Sequence, residues 1–178
     1  DRTRRRDRAD QLGCLVTLGA FEDWSIVCLA SERSDTSDAP QVQPGMHVSV
    51  TTTAMGRAYL ASCGRLERTR ILRELSRRKP AESPGLEEVI ARSVAEYARR
   101  GYCTTLEGWR RGQNGIAVPL YLRNYGRRLV LACGGPTAEL KTADLHAVVS
   151  VHLLRVANEL ELSFEKAAPA RVVRAKAG

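Results

Sequence analysis

The sequence predicts an α+β domain in which helices pack against a mostly antiparallel sheet. The strand-like segments fall into two groups, and each group contains a connection short enough for a hairpin. Helical periodicity is confined to the segments between and after these groups. The predicted order is therefore three strands, three helices, three strands and one helix, and 178 residues suit one such domain.

The first group of strands is predicted at 14–20, 24–31 and 46–50. The first two runs are rich in apolar and β-branched residues, and Phe21–Asp23 between them is short enough for a hairpin. Residues 31–45 are rich in Ser, Asp and Pro and predict a loop. The third segment, MHVSV, alternates as a short strand does.

Three helices are predicted next, at 53–63, at 65–78 and from Ser83-Pro84 to Gly101. Gly64 and Gly101 suit helix ends, because glycine readily adopts a left-handed backbone. Ser83-Pro84 offers a cap and a first-turn proline. The third helix has a single apolar stripe at 3–4 spacing, formed by Leu86, Val89, Ile90, Val94 and Tyr97.

The second group of strands is predicted at 102–106, 115–122 and 128–133, with a hairpin turn at Arg123–Gly126. Pro119 predicts an edge position or a bulge in the middle strand. A last helix is predicted from Thr142, as its N-cap, with His152 on its apolar stripe. We interpret His152 as a core or interface residue, because no metal-ligating partners occur at suitable spacing.

The cysteines and motifs exclude several classes of protein. The five cysteines are widely spaced and form no CxxC, which predicts reduced thiols, mostly in the core of a cytoplasmic protein. No apolar stretch is long enough for a membrane span, and no signal peptide is visible. The sequence also lacks GxSxG, HExxH and phosphate-loop motifs. We therefore predict a protein that is not an enzyme and holds no cofactor or metal.

The net charge of +8 lies mainly in residues 1–9 and 166–178. A nucleic-acid-binding domain usually carries its positive charge on one face of the fold. We therefore interpret the two ends as solvated basic tails. Direct binding of nucleic acid by these ends is the alternative.

Residues 50–61, VTTTAMGRAYLA, place three threonines before a helix whose first turn carries little bulk. The first N–H groups of a helix lack intrahelical acceptors, and they can bind an anionic or carbonyl-bearing ligand. Ala54 and Gly56 leave the approach open. In the alternative interpretation, one threonine caps the helix and the others are ordinary strand residues. Small residues at 112–115 and 132–135 predict a pocket if they converge on this turn.

Four stretches resemble the effector-binding domain of the isocitrate lyase regulator (IclR) family of bacterial transcription factors. They are TTTAMGRAYLA at 51–61, RRGYCTTLEGWRRGQNGIAVPL at 99–120, Tyr125-Gly126 with LVLACGGP at 129–136, and LKTADLHAVVSVHLLRVANEL at 140–160. The likeness runs from about residue 12 to 162, and it depends on the order and spacing of these motifs together.

The resemblance implies a GAF-like domain with a central, mostly antiparallel six-stranded sheet flanked by helices. Residues 1–11 would be the remnant of a linker helix, 12–165 the effector-binding domain and 166–178 a flexible basic tail. A winged helix-turn-helix, absent from this chain, would bind DNA. The partners implied are a small-molecule effector, an organic or aromatic acid, and further copies of the protein in a dimer or tetramer.

The resemblance also implies a set of ligand-binding residues at the helix start and the strand ends. On this chain they are Val48, Thr52, Ala54, Met55, Thr105, Gln113, Gly115, Ala132 and Gly134. Many members carry an acidic residue where this chain has Thr105, cysteine at Gly115, and serines at Ala132 and Gly134. These changes predict a roomier and less polar pocket, suited to a guest larger than a short keto acid.

Three interpretations remain open at this point. Trp109-Arg110-Arg111 could form a lid whose arginines reach a ligand carboxylate, or an exposed loop or oligomer contact. Gly56 is expected to allow close helix packing and Arg57 to pair with a carboxylate. The alternative function is a GAF-like thiol enzyme that uses Cys133 or Cys103 at the same pocket.

Overall fold

The computed structural model describes residues 14–33 and 41–167. Its centre is a six-stranded antiparallel sheet in the order β3-β2-β1-β6-β5-β4, which confirms the predicted fold class. The strands are β1 (Leu15–Glu22), β2 (Ser25–Arg33), β3 (His47–Val48), β4 (Cys103–Leu106), β5 (Gln113–Leu122) and β6 (Arg127–Pro136).

The helices lie between and after the two groups of strands, as predicted. They are α1 (Ala54–Ser62), α2 (Arg65–Arg78), α3 (Leu86–Arg100), α4 (Thr142–Asp144) and α5 (Ser150–Lys166). Short 3-10 turns occupy Pro80–Glu82 and Arg123–Tyr125, and a π-helical turn at Leu145–Val149 joins α4 to α5. The predicted last helix therefore exists, but one wider turn interrupts it.

The helix starts differ in detail from the prediction. The predicted cap at Ser83 is wrong, because Gly85 with φ of 73° precedes α3 and makes no side-chain cap. Thr142 is the first residue of α4 rather than its N-cap, which is Lys141. A glycine in the left-handed region lets the chain turn sharply from the 3-10 segment into α3.

The β1–β2 hairpin turns at Asp23 and Trp24, whose φ angles of 50° and 63° match a two-residue type I′ turn. The predicted third strand is shorter than 46–50, since Ser49 Oγ accepts the N–H groups of Thr51 and Thr52 and bends the chain. The pairing of β5 with β4 ends at Ala117, two residues before Pro119. The missing N–H of Pro119 therefore removes no hydrogen bond between these two strands.

The sheet separates two apolar cores. Helices α1, α2 and α3 cover one face, where Leu60, Ile71 and Ile90 are buried. Helix α5 and the π-helical turn cover the other face, where Leu145, Val149 and Leu153 pack on Ile116. On the first side, α1 contacts β4, β5 and β6.

The prediction of five reduced cysteines is wrong for one pair. Cys14 and Cys133 form a disulfide across β1 and β6, with their Cα atoms 6.3 Å apart. Their partnership is set by strand register, which brings residues far apart in the chain onto neighbouring strands. Cys28, Cys63 and Cys103 are free thiols and are buried, as predicted.

Three predicted segments lie outside the described residues: the linker helix at 1–11, part of the loop at 34–40 and the tail beyond residue 167. In the part of the chain that the structure describes, no helix is both long and apolar enough to cross a bilayer. The same residues contain no group of three or more side chains placed to hold a metal ion.

Candidate functional site

The floor of a pocket is formed by two rows of residues that run across four neighbouring strands. In one row, Thr105 on β4, Gly115 on β5, Gly134 on β6 and Leu15 on β1 are successive partners. In the next row, Ala132 on β6 pairs with Thr17 on β1. Because the centre of each row has little or no side chain, the sheet leaves space where a core would normally be filled.

The N-terminal end of α1 lies over this floor. Thr53, Ala54 and Met55 line the pocket, and the β-carbon of Ala54 is 3.5 Å from the point that a β-carbon on Gly115 would occupy. Met55 does not fill the space, since its methyl carbon reaches Gly19 at the bulge of β1. The empty space in and above this pocket is about 580 Å³, part of which is open solvent.

Hydrogen bonds at the start of α1 decide which groups remain for a ligand. Thr53 Oγ1 accepts the Gly56 N–H at 3.1 Å and donates to the Ser49 carbonyl at 2.6 Å. Thr51 Oγ1 is bound to Glu82 and Ser49. Within the described residues, no acceptor is recorded for the N–H groups of Ala54 and Met55, as expected for a helix's first turn. The side chains of Thr51 and Thr53 are therefore already hydrogen-bonded within the protein, whereas the N–H groups of Ala54 and Met55 remain available to a ligand.

The walls are mostly apolar. Leu15 and Val42 belong to a small buried cluster against which the half-buried Trp109 packs. A polar side chain in the lining is Gln113, whose buried Oε1 has no hydrogen-bond partner in the described part of the chain. An unpaired buried amide oxygen costs free energy, so this atom favours a ligand that can donate a hydrogen bond to it.

Among the residues that the structure describes, no charged side chain lines the pocket. Arg110 stacks over the Trp109 ring at 4.6 Å from its centre, and both Arg110 and Arg111 are exposed and lie outside the lining. In this arrangement Trp109 closes one side of the pocket while the two arginines do not enter it.

The structure brings eight of the nine expected residues together around one pocket. They are Val48, Ala54, Met55, Thr105, Gln113, Gly115, Ala132 and Gly134. Thr52 does not line it, because the buried and hydrogen-bonded threonines are Thr51 and Thr53.

Sequence reasoning missed Leu15, Thr17 and Val42, and it did not include Thr53, Asn114, Cys133 and Gly135 in the set of ligand-binding residues, although the last three lie in the stretches expected to converge. Leu15 and Thr17 alternate on β1, so they share a face of the sheet. That alternation is visible in the sequence, but the neighbour of β1 is not. Only the pairing with β6 puts these two residues beside Gly134 and Ala132.

Gly56 and Arg57 have structural roles. A β-carbon at Gly56 would lie 2.0 Å from the Val50 carbonyl oxygen, so only glycine allows this approach. Arg57 does not pair with a carboxylate as expected; among the described residues its recorded hydrogen bond is from Nε to the Thr51 carbonyl at 3.4 Å. Both residues hold the segment before α1 in place.

The cysteines give no support to a thiol enzyme. Cys133 contributes to the pocket wall, but its sulfur is in the disulfide with Cys14. Burial, with a smaller effect of Glu96, raises the pKa of Cys103 to about 12. Burial likewise raises the pKa of Cys63 to about 11. A catalytic cysteine needs a lowered pKa, because the thiolate is the nucleophile.

Solved structures share this fold over nearly the whole described chain. An IclR-family transcriptional regulator from Brucella abortus is 28% identical, with a TM-score of 0.82 over 89% of this chain and 60% of its own. A second IclR-type regulator, from Silicibacter sp. TM1040, is 20% identical, with a TM-score of 0.78 over 95% of this chain and 66% of its own.

A third similar structure is a double mutant of the inducer-binding domain of the PobR transcription factor from Acinetobacter, in complex with 3-hydroxybenzoic acid. It is 17% identical, with a TM-score of 0.69 over 90% of this chain and 97% of its own. No family model matches the sequence, and no curated protein matches it significantly.

The fold and the pocket define an α+β domain built on one antiparallel sheet. The chain is similar, more particularly, to part of an IclR-family transcriptional regulator, which confirms the resemblance found in the sequence. It spans 60% and 66% of the first two regulators, so it corresponds to a part of each.

Proposed function

We propose that this chain is the ligand-sensing domain of a DNA-binding transcription factor and not an enzyme. The observation that carries the proposal is the pocket between the sheet and the tip of α1. It combines an apolar lining with a few convergent polar groups, which is the usual form of a small-molecule site. The similarity of the chain to transcriptional regulators supports a sensing role for this pocket.

The proposed effector is an organic or aromatic acid larger than a short keto acid. Its carboxylate would accept hydrogen bonds from the Ala54 and Met55 amides, beside the positive end of the helix dipole. Its apolar part would rest on the floor left open by Gly115 and Gly134 and against Trp109. A hydroxyl or amino group could donate to Gln113 Oε1. The hydroxybenzoate bound by the PobR domain has this combination of groups.

In the whole protein, we propose that a winged helix-turn-helix preceding this domain binds the operator in the cytoplasm. Dimers or tetramers would pair these heads, and effector binding would alter their spacing. The partial coverage of the similar regulators supports this division of the chain.

Titration with hydroxybenzoates, their primary amides and short keto acids tests the proposal. We expect a hydroxybenzoate to quench Trp109 fluorescence and to raise the melting temperature, because a ligand that binds only the folded state stabilises it. The matched amide should bind less tightly, since it lacks the charge that the helix end favours.

A pocket variant and a matched control locate the binding site. Gly134→Ala adds a methyl group to the floor, and its only near neighbour is the Asn114 carbonyl oxygen at 3.6 Å. It should fold and bind the same acid several-fold more weakly. Gly64 lies outside the pocket, and among the described residues a β-carbon there would meet no atom within 4 Å. Gly64→Ala should therefore bind the acid normally. A stronger response to pyruvate or glyoxylate than to any larger acid would contradict the proposed ligand class.

A further inference from the structure

Helix α2 carries a concentration of positive charge in addition to that of the two ends of the chain. Its 14 residues include six arginines, two glutamates and no lysine. The expectation that positive charge lies mainly in the ends of the chain is therefore incomplete, because one helix on the surface of the folded domain is also strongly basic.

The side chains of α2 divide into a buried and an exposed face. Ile71 and Leu75 are buried against the core, with Arg68 and Leu72 half-buried beside them. Four exposed side chains at helical spacing form the opposite face, which we call the arginine face: Leu66, Arg70, Arg73 and Arg77. Leu66 is 87% exposed, more than any other large apolar side chain described.

The acidic residues of α2 neutralise only part of this charge. Glu74 pairs with both Arg77 and Arg78, and Glu67 pairs with Arg128 from β6. Arg70 and Arg73 have no recorded carboxylate partner in the described part of the chain. The centre of the arginine face therefore presents two uncompensated guanidinium groups beside an exposed leucine.

We propose that the arginine face docks an acidic protein surface that also offers a small apolar recess. Arginine is enriched at protein interfaces and lysine is depleted, which matches the composition of α2. Guanidinium groups bind carboxylates in a bidentate manner, so Arg70 and Arg73 would hold Asp or Glu of the partner. Leu66 would enter the recess and give the contact an apolar anchor.

Two features favour a protein over nucleic acid as the occupant. Glu74 lies within the patch, where its carboxylate would oppose a phosphate backbone, and Leu66 offers nothing to a phosphate.

Fluorescence anisotropy with a labelled synthetic peptide rich in Glu and Asp and containing one phenylalanine tests this inference. We expect binding that weakens with added salt, because exposed charge pairs are screened. The double variant Arg70→Glu/Arg73→Glu should weaken it at least tenfold. Arg92→Glu, at an arginine of α3 that is also exposed, should leave it unchanged. Circular dichroism of each variant checks that the fold is retained.

Leu66→Ala separates apolar anchoring from charge. It should weaken binding of the phenylalanine peptide several-fold and leave binding of a counterpart peptide with alanine unaffected.

Equal binding by the wild type and the double variant would overturn the inference. So would tighter, arginine-dependent binding of a DNA duplex, or a change of oligomeric state in the double variant. Effector titration of the same variants should be normal, so failure here is distinguishable from failure of the proposed sensing function.

Discussion

Gly56 shows how strongly one residue can constrain the site. It lies where α1 passes the backbone of Val50, and a β-carbon there would be 2.0 Å from the Val50 carbonyl oxygen. The obstacle is backbone rather than the end of a flexible side chain, so it cannot turn aside. The position of the helix tip over the pocket therefore depends on the absence of a side chain at this residue.

We expect Gly56→Ala to destabilise the domain by at least about 1–3 kcal/mol, because the added methyl group overpacks a close contact. The measurement is urea unfolding followed by circular dichroism. Gly64→Ala is the matched control, since a β-carbon there meets no atom within 4 Å, and we expect a change of less than about 1 kcal/mol. Equal stability of Gly56→Ala and the wild type would show that α1 can move away from Val50 without cost.

At the scale of elements, the link between β1 and β6 is the least expected feature. The Cys14–Cys133 disulfide joins residues 119 positions apart, at the edge of the core beneath α5. A cross-link over so long a loop restricts the unfolded chain strongly. In a reducing cytoplasm the same pair would be two thiols, so the protein has two measurable states.

Thiol titration in denaturant without reductant should detect the three free cysteines, Cys28, Cys63 and Cys103. Reduction should then expose five thiols and lower the free energy of unfolding by about 2–4 kcal/mol. Cys14→Ala should lower it similarly and make stability insensitive to reductant. Five thiols in the untreated protein would show that the disulfide is absent in the purified chain.

At the scale of the whole molecule, one sheet is shared by two cores. Strands β5 and β6 contribute Ala117, Val130 and Ala132 to the core beneath α1–α3. The same strands contribute Ile116, Val118 and Leu131 to the core beneath α5. Neither core can lose its packing without loosening strands that support the other. The domain should therefore unfold as one cooperative unit.

Leu153→Ala tests this cooperativity. Leu153 is 2% exposed in the core beneath α5, so the substitution should cost about 2–5 kcal/mol. Both tryptophans pack with clusters other than that core. Their fluorescence should nevertheless report the same shifted midpoint as far-UV circular dichroism. Val151→Ala, on the same helix but 61% exposed, should change stability by less than about 0.5 kcal/mol. Separate midpoints for the two probes would contradict a single cooperative unit.

The sequence by itself determined the fold class and the order of the elements, and the resemblance it carries named eight of the sixteen described residues that line the pocket. Alternation marked the strands, 3–4 spacing marked the helices, and Gly101 ended α3, because these signals depend on neighbouring residues alone. The left-handed helix end predicted at Gly64 is wrong, because Cys63 is the C-cap of α1 and Gly64, with φ of −60°, is the N-cap of α2. The run of threonines correctly marked the start of α1. The choice of Thr53 rather than Thr52 as a pocket residue depended on the hydrogen bonds of Ser49 and Glu82.

The tertiary structure decided everything that depends on which strands are neighbours. It paired Cys14 with Cys133, placed Leu15 and Thr17 beside the glycines of the pocket floor, and gathered the arginines of α2 on an exposed face. The register between β1 and β6 joins segments more than a hundred residues apart, and their free energy of pairing comes from packing both faces of the sheet at once. Local sequence patterns carry no record of that cooperative choice, because many registers satisfy the same alternation.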